Sequence, residues 1–150
     1  MPQSFAAVDL HIVFSTKSRE PSLPLDRIPR LREYMAGTLQ TLKCRLLNAN
    51  GMPDHLHLLV SMGREVSLAE LIGTVKSSSS RWVHDTFDDS RGFGWQAGYG
   101  VFGVSPSKLR AVHQYIDRQQ EHHRTITFQE EFLEFLRRHN QVWDERYVWE

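Results

Sequence analysis

The sequence has 150 residues, 40% hydrophobic and 24% charged, with 18 Lys plus Arg against 18 Asp plus Glu. This composition excludes wholesale disorder and suits one domain able to bury a core, and no apolar run approaches the ~20 residues that span a bilayer. Cys44 is the only cysteine, which excludes an internal disulfide and a cysteine-based zinc site.

The N-terminus lacks a basic segment ahead of its apolar residues, so no secretion signal is read and a cytoplasmic protein is expected. A neutral total speaks against nucleic acid as a partner, because phosphate-binding domains usually carry excess Lys and Arg. Position weakens that objection. Residues 1–112 carry 13 basic and 10 acidic groups, whereas residues 113–150 carry 5 and 8.

In chain order, Ala7–Ser15 is rich in β-branched and aromatic residues and reads as a first strand. Pro21, Pro24, Asp26 and Pro29 mark a loop, and Leu31, Met35, Leu39 and Leu42 predict a helix over 31–42. Residues 44–51 and 56–62 read as two strands, and Gly51-Met52-Pro53-Asp54 between them makes a hairpin turn. Ser67 with Glu70 three residues on predicts a helix start, followed by Leu68, Leu71, Ile72 and Val75 on one side. Residues 85–98 read as a polar loop. Residues 98–104 read as a fourth strand, whose glycines suit a sheet edge.

Ser105-Pro106 then opens a helix running to about Arg124, with Leu109, Val112 and Ile116 inward. Thr127 and Glu130 cap a last helix through about His139, whose stripe of Phe128, Phe132, Phe135 and Leu136 must pack on its own sheet or a neighbour's. The order βαββαβ plus terminal helices predicts an α+β, ferredoxin-like split βαβ fold. It has one four-stranded antiparallel sheet, helices on one face and an extra C-terminal helix. Such a fold says little about function.

Chemistry enters with His55-Leu56-His57. On a strand the two imidazoles project to one face, where they can share a divalent ion, although two strand histidines beside a turn are also ordinary polar residues. Tyr115 and Gln119 lie at i and i+4 on one helical face. The amide oxygen of Gln119 is an acceptable ligand for a hard cation. Taken alone, a half-buried core Tyr and a solvated Gln are the better explanation of that spacing.

Together, the runs GMPDHLHLLVS, HIVFSTKSREP and VHQYIDRQQ resemble the HUH superfamily. The likeness is strongest to its single-tyrosine transposases of small bacterial insertion sequences and to their relatives associated with repetitive extragenic palindromes. It covers roughly residues 8–124, with MPDHLHLLV its most specific part. It implies Tyr115 as nucleophile and His55, His57 and Gln119 as ligands of Mg²⁺ or Mn²⁺. It implies single-stranded DNA, with hairpin or palindromic element ends, as substrate, cleaved through a 5′-phosphotyrosine, and a homodimer in which the tyrosine helix could serve the partner's metal site. Residues 1–124 would then form the catalytic domain, and residues 125–150 a helical appendage without a catalytic motif.

Weaker candidates surround these four. Lys17, Arg19, Lys76 and Arg81 are read as DNA-phosphate contacts, against the commoner alternative of solvated charge. Trp82, Phe93, Trp95 and Tyr99 could stack on unpaired bases or fill core. His122 and His123 are read as surface residues. A relative that processes palindromic repeats, a non-catalytic single-strand-binding module, and a phosphodiesterase using water are the competing functions.

Overall fold

The computed structural model describes residues 2–150. The strands β1 (Asp9–Ser15), β2 (Arg45–Met52), β3 (His55–Ser61) and β4 (Gly100–Val104) form one antiparallel sheet in the order β2-β3-β1-β4. Helix α1 (Ile28–Thr41) joins β1 to β2, and α2 (Leu68–Thr86) joins β3 to β4, each passing over one strand. This is the expected split βαβ arrangement, with glycine-rich β4 at an edge.

The strand alternation decides which residues meet. Leu10, Ile12 and Phe14 of β1 and Leu56, Leu58 and Val60 of β3 turn to one face. There they pack on Leu31, Met35 and Leu39 of α1 and on Leu71, Ile72 and Val75 of α2. His11, Val13, Ser15, His55 and His57 turn the other way.

That opposite face is covered by α3 (Leu109–Asp117), α4 (Gln119–His122) and α5 (Phe128–Arg138). The α5 stripe packs on its own sheet, where Phe128 and Phe132 join Val13 and Phe102 in a second, smaller core. Two helix layers therefore sandwich the sheet, α1–α2 on one side and the C-terminal helices on the other, where helices on one face were expected. The apolar stripe of α5 and the polar face of β3 bury each other.

Three local details depart from expectation. Pro29 does not end the loop but sits in the first turn of α1, where its missing N–H costs nothing. The helix expected to run from residue 106 to 124 begins as a short 3₁₀ turn at Pro106–Lys108 and breaks at Arg118 (φ −98, ψ 21). The cause of the break is β2, where Asn50 Nδ2 donates to the Ile116 carbonyl at 3.0 Å and the Asp117 carbonyl at 3.3 Å. A continuous helix would spend those carbonyls on its own N–H groups.

Caps and glycines complete the frame. Ser67 Oγ accepts from the Glu70 N–H, and Thr127 and Glu130 form a full capping box. Gly51 lets the β2–β3 hairpin close, because a Cβ there would lie 2.2 Å from the His55 carbonyl oxygen.

Candidate active site and metal centre

His55 and His57 are both fully buried beneath the C-terminal helices. The His55 Nδ1 lies 2.7 Å from Asp54 Oδ1, and the His57 Nδ1 lies 2.8 Å from His11 Nε2. Each ring thus spends Nδ1 on an outer partner and turns Nε2 inward, the arrangement that orients imidazoles toward a metal ion.

The break at Arg118 does not separate Tyr115 from Gln119. Gln119 is fully buried with its Oε1 3.2 Å from His55 Nε2. Tyr115, half-buried, places its hydroxyl 3.0 Å from His122 Nε2 and donates to Glu131 Oε2. The four expected residues are therefore brought together within one chain: the tyrosine helix lies over that chain's own histidines.

Three further residues belong to the cluster and were not expected there. Glu131, 3% exposed on α5, sets Oε1 at 2.9 Å from His57 Nε2, 3.1 Å from His123 Nε2 and 3.4 Å from His55 Nε2. His123 is not a surface residue. Its Nε2 also lies 3.1 Å from Gln119 Oε1, so it is packed into the centre. His11 supports His57 from β1.

The tail after Arg124, in which the sequence shows no catalytic motif, supplies this carboxylate. One signal was available, since Glu131 falls at helical spacing between Phe128 and Phe135, a carboxylate on an apolar stripe. His123 follows Gln119 at i+4, on the same helical face.

Charge explains the titration of these groups. Burial alone would raise the Glu131 carboxyl, but the surrounding His57, His123 and His55 hold it far below the usual carboxylate range. Burial also works against a charged His55. Its hydrogen bonds to Asp54 and Glu131 outweigh that and place its pKa at about 9. Burial pushes His57 and His11 down. Tyr115 is pushed up by burial and then by the Glu131 charge, so at rest it is a protonated hydrogen-bond donor.

The donor set fits a divalent cation. His55, His57, His123 and Glu131 each offer one atom, all within 4.8 Å of one another. Gln119 adds a neutral oxygen beside them. A groove of about 730 Å³ runs up to this centre, lined by Phe102, Lys108, Tyr115, Glu131, Phe135 and Arg138.

The outlying candidates divide. Lys17 and Arg19 follow β1 at the end of the sheet where Ser15 pairs with His55, and the Arg19 guanidinium sits 5.5 Å from the Trp149 ring centroid. Lys76 and Arg81 lie on α2, behind the sheet. The Lys76 ammonium is spent on the carbonyls of Gln96, Ala97 and Gly98, and Arg81 is exposed. Phe93 and Trp95 are packed into the first core, and Trp82 stacks on Tyr34. Of the four aromatics only Tyr99 is exposed.

The sequence model of IS200-like transposases matches residues 4–119. The transposase of insertion sequence element IS200 from Salmonella typhimurium is 26% identical over 117 residues, covering 74% of this chain and 76% of that one. The ISDra2 transposase TnpA of Deinococcus radiodurans is 20% identical over 119 residues, covering 76% and 85%. Among solved structures, a Deinococcus radiodurans protein assigned as a transposase superposes with a TM-score of 0.62 at 22% identity, covering 79% of this chain and 98% of that one. A REP-associated tyrosine transposase bound to a REP hairpin gives 0.58 at 10% identity, covering 82% and 73%. Glu131 and His123 lie beyond the stretch that the family model matches.

Proposed function

The chain belongs to the IS200-like transposase family, and on that premise we propose that it cleaves and rejoins single-stranded DNA through a covalent bond to Tyr115. The observation that carries this reading is the meeting of the Tyr115 hydroxyl with the cluster of His55, His57 and Gln119, beside a groove lined by Tyr115 and Glu131.

Tyr115 Oη attacks the scissile phosphorus, a P–O bond to the 3′ oxygen breaks, and a 5′-phosphotyrosine and a free 3′-OH result. At rest Glu131 Oε2 accepts the hydrogen bond that orients the phenol. In the reaction the phenol proton passes to His122 Nε2, 3.0 Å from the hydroxyl, and is returned from there to the leaving 3′ oxygen. An attacking 3′-OH reverses the step without ATP, because the ester bond is retained in the phosphotyrosine.

His55, His57 and Gln119 would hold a divalent cation, Mg²⁺ or Mn²⁺, which when bound would supply charge neutralisation and polarisation at the scissile phosphate. Asp54 and His11 keep the two imidazoles aimed inward. Lys108 and Arg138 line the groove where a strand's phosphates would run.

The relative bound to a REP hairpin favours element ends that fold into hairpins as the DNA partner. Exchange between two ends requires two nucleophiles, so a homodimer goes with this reading. Lys17 and Arg19, beside His55, are better placed for the DNA than Lys76 and Arg81. Action on DNA inside the cell places the protein in the cytoplasm, at the nucleoid.

Incubation with Mn²⁺ or Mg²⁺ and a labelled single strand from the DNA flanking its gene should give a covalent adduct that survives denaturation. Tyr115→Phe should abolish it while leaving the fold intact. An adduct that persists in Tyr115→Phe overturns the assignment. Scattered palindromes rather than element ends around the gene would make the substrate a repeat and not a mobile element.

A further inference from the structure

We propose that the metal centre is completed from the C-terminal tail: His123 Nε2 and Glu131 Oε1 join His55 and His57 as direct ligands. The centre then has three imidazoles and a carboxylate, and it selects transition-metal cations over Mg²⁺. The inference rests on the reading of His55 and His57 as metal ligands and extends it to residues outside the family match.

The first support is separation. A cation at ~2.0–2.1 Å from nitrogen and oxygen ligands in tetrahedral array sets its ligands ~3.3 Å apart. Glu131 Oε1 stands at 2.9, 3.1 and 3.4 Å from the three Nε2 atoms. The carboxylate oxygen thus stands from each of the three ring nitrogens at about the separation a shared ion would impose, and all four atoms lie within 4.8 Å of one another.

The second support is tautomer control, which is independent of those distances. His123 Nδ1 lies 2.9 Å from the Ile126 carbonyl oxygen, which can only accept. The Nδ1 must therefore carry the proton, and in the neutral ring Nε2 presents a lone pair to the cluster. Asp54 imposes the same choice on His55, and His57 has His11 at its Nδ1. Three imidazoles from two separate elements share one wiring, with Nδ1 on a partner outside and Nε2 turned to the Glu131 oxygen inside. An ordinary buried histidine has no need of that agreement.

The third support is burial. His55, His57 and Glu131 are at most 3% exposed, and the His123 side chain is 5% exposed. Three neutral nitrogen ligands and one carboxylate suit softer first-row cations, whereas Mg²⁺ demands mostly oxygen. Glu131 Oε2 stays on Tyr115, so the carboxylate links the ion to the nucleophile.

The test is isothermal titration of EDTA-stripped full-length protein with Mn²⁺, Zn²⁺ and Mg²⁺, with no DNA present. The wild type should bind one Mn²⁺ or Zn²⁺ and bind Mg²⁺ at least about tenfold more weakly. Glu131→Gln and His123→Asn should each weaken Mn²⁺ binding by about tenfold or more, as losses around a metal do, while Tyr115→Phe should not. Circular dichroism checks that each variant is folded. Glu131→Asp, which withdraws the oxygen by one methylene, replaces Glu131→Gln should the latter unfold.

Folded Glu131 and His123 variants that bind Mn²⁺ as tightly as the wild type overturn the proposal and leave the ion on His55, His57 and Gln119. A wild type that binds no cation overturns it as well. The expected affinities in a protein that never forms a DNA adduct uphold the metal centre and overturn the transposition chemistry alone.

Discussion

At the residue scale, the site is organised by one carboxylate among imidazoles. Glu131 touches His55, His57, His123, Gln119 and Tyr115, and its charge helps to raise both His55 and Tyr115. In the metal-free protein this dictates the stability profile. His55 has its pKa raised to about 9, so its contribution is fully present below the unfolded value of ~6.5 and is lost as pH rises through about 9. His57 and His11 are lowered, as is Glu131, so in acid the unfolded chain binds the extra protons and stability falls again. Chemical denaturation of EDTA-treated protein should therefore show a maximum near pH ~6.5 and decline toward pH 9. A profile still rising between pH 7 and 9 would contradict the charge assigned to His55. Tyr115→Phe removes one oxygen and leaves the ring packed against His57 and Phe135, so loss of the DNA adduct in that variant reports the missing nucleophile and not a disturbed fold.

At the element scale, two devices deliver side chains to the centre. Asn50 of β2 takes the end carbonyls of α3, breaking the helix so that α4 turns His122 and His123 back over the site. Gly100 of β4 lets α5 approach, since a Cβ there would stand 2.6 Å from the Phe132 ring. Phe132 adjoins Glu131 on that helix, so the packing of one fixes the position of the other. Gly100→Val should destabilise the fold by ~1–3 kcal/mol, the usual cost of overpacking. It should also weaken Mn²⁺ binding, because α5 is pushed off the sheet. Thermal melts and titration read the two effects, and a variant with unchanged Tm and unchanged Mn²⁺ affinity would show that α5 does not depend on this contact.

At the scale of the whole molecule, the sheet separates two tasks. The α1–α2 face holds the larger apolar core, and the opposite face holds the polar centre with a small aromatic core beside it. The acidic 113–150 segment therefore lies over the reactive face of a mildly basic body. Few unpaired cations line the groove, so nonspecific affinity for a single strand should be low and should depend only shallowly on salt. Fluorescence anisotropy from low to moderate salt should give a log–log slope corresponding to about two or three phosphate contacts. A slope of six or more would mean that a basic surface elsewhere dominates binding. No helix among the described residues is long and apolar enough to cross a membrane.

Much of this was legible in the chain because it is local. Strand alternation in HLHLLVS alone puts His55 and His57 on one face, the hairpin follows from Gly51 through Asp54, and Thr127 with Glu130 announces α5. The i, i+4 spacing of Tyr115 and Gln119 is likewise a property of one helix. What only the tertiary structure decided is non-local. Nothing near Arg118 in sequence shows that Asn50, 66 positions away from Ile116, will break the helix. Nothing in the tail shows that Glu131 will meet histidines 74 and 8 positions distant. Periodicity reports which face of an element is buried. Which elements then face each other is decided by the packing of the whole chain, and that packing brought the carboxylate to the tyrosine.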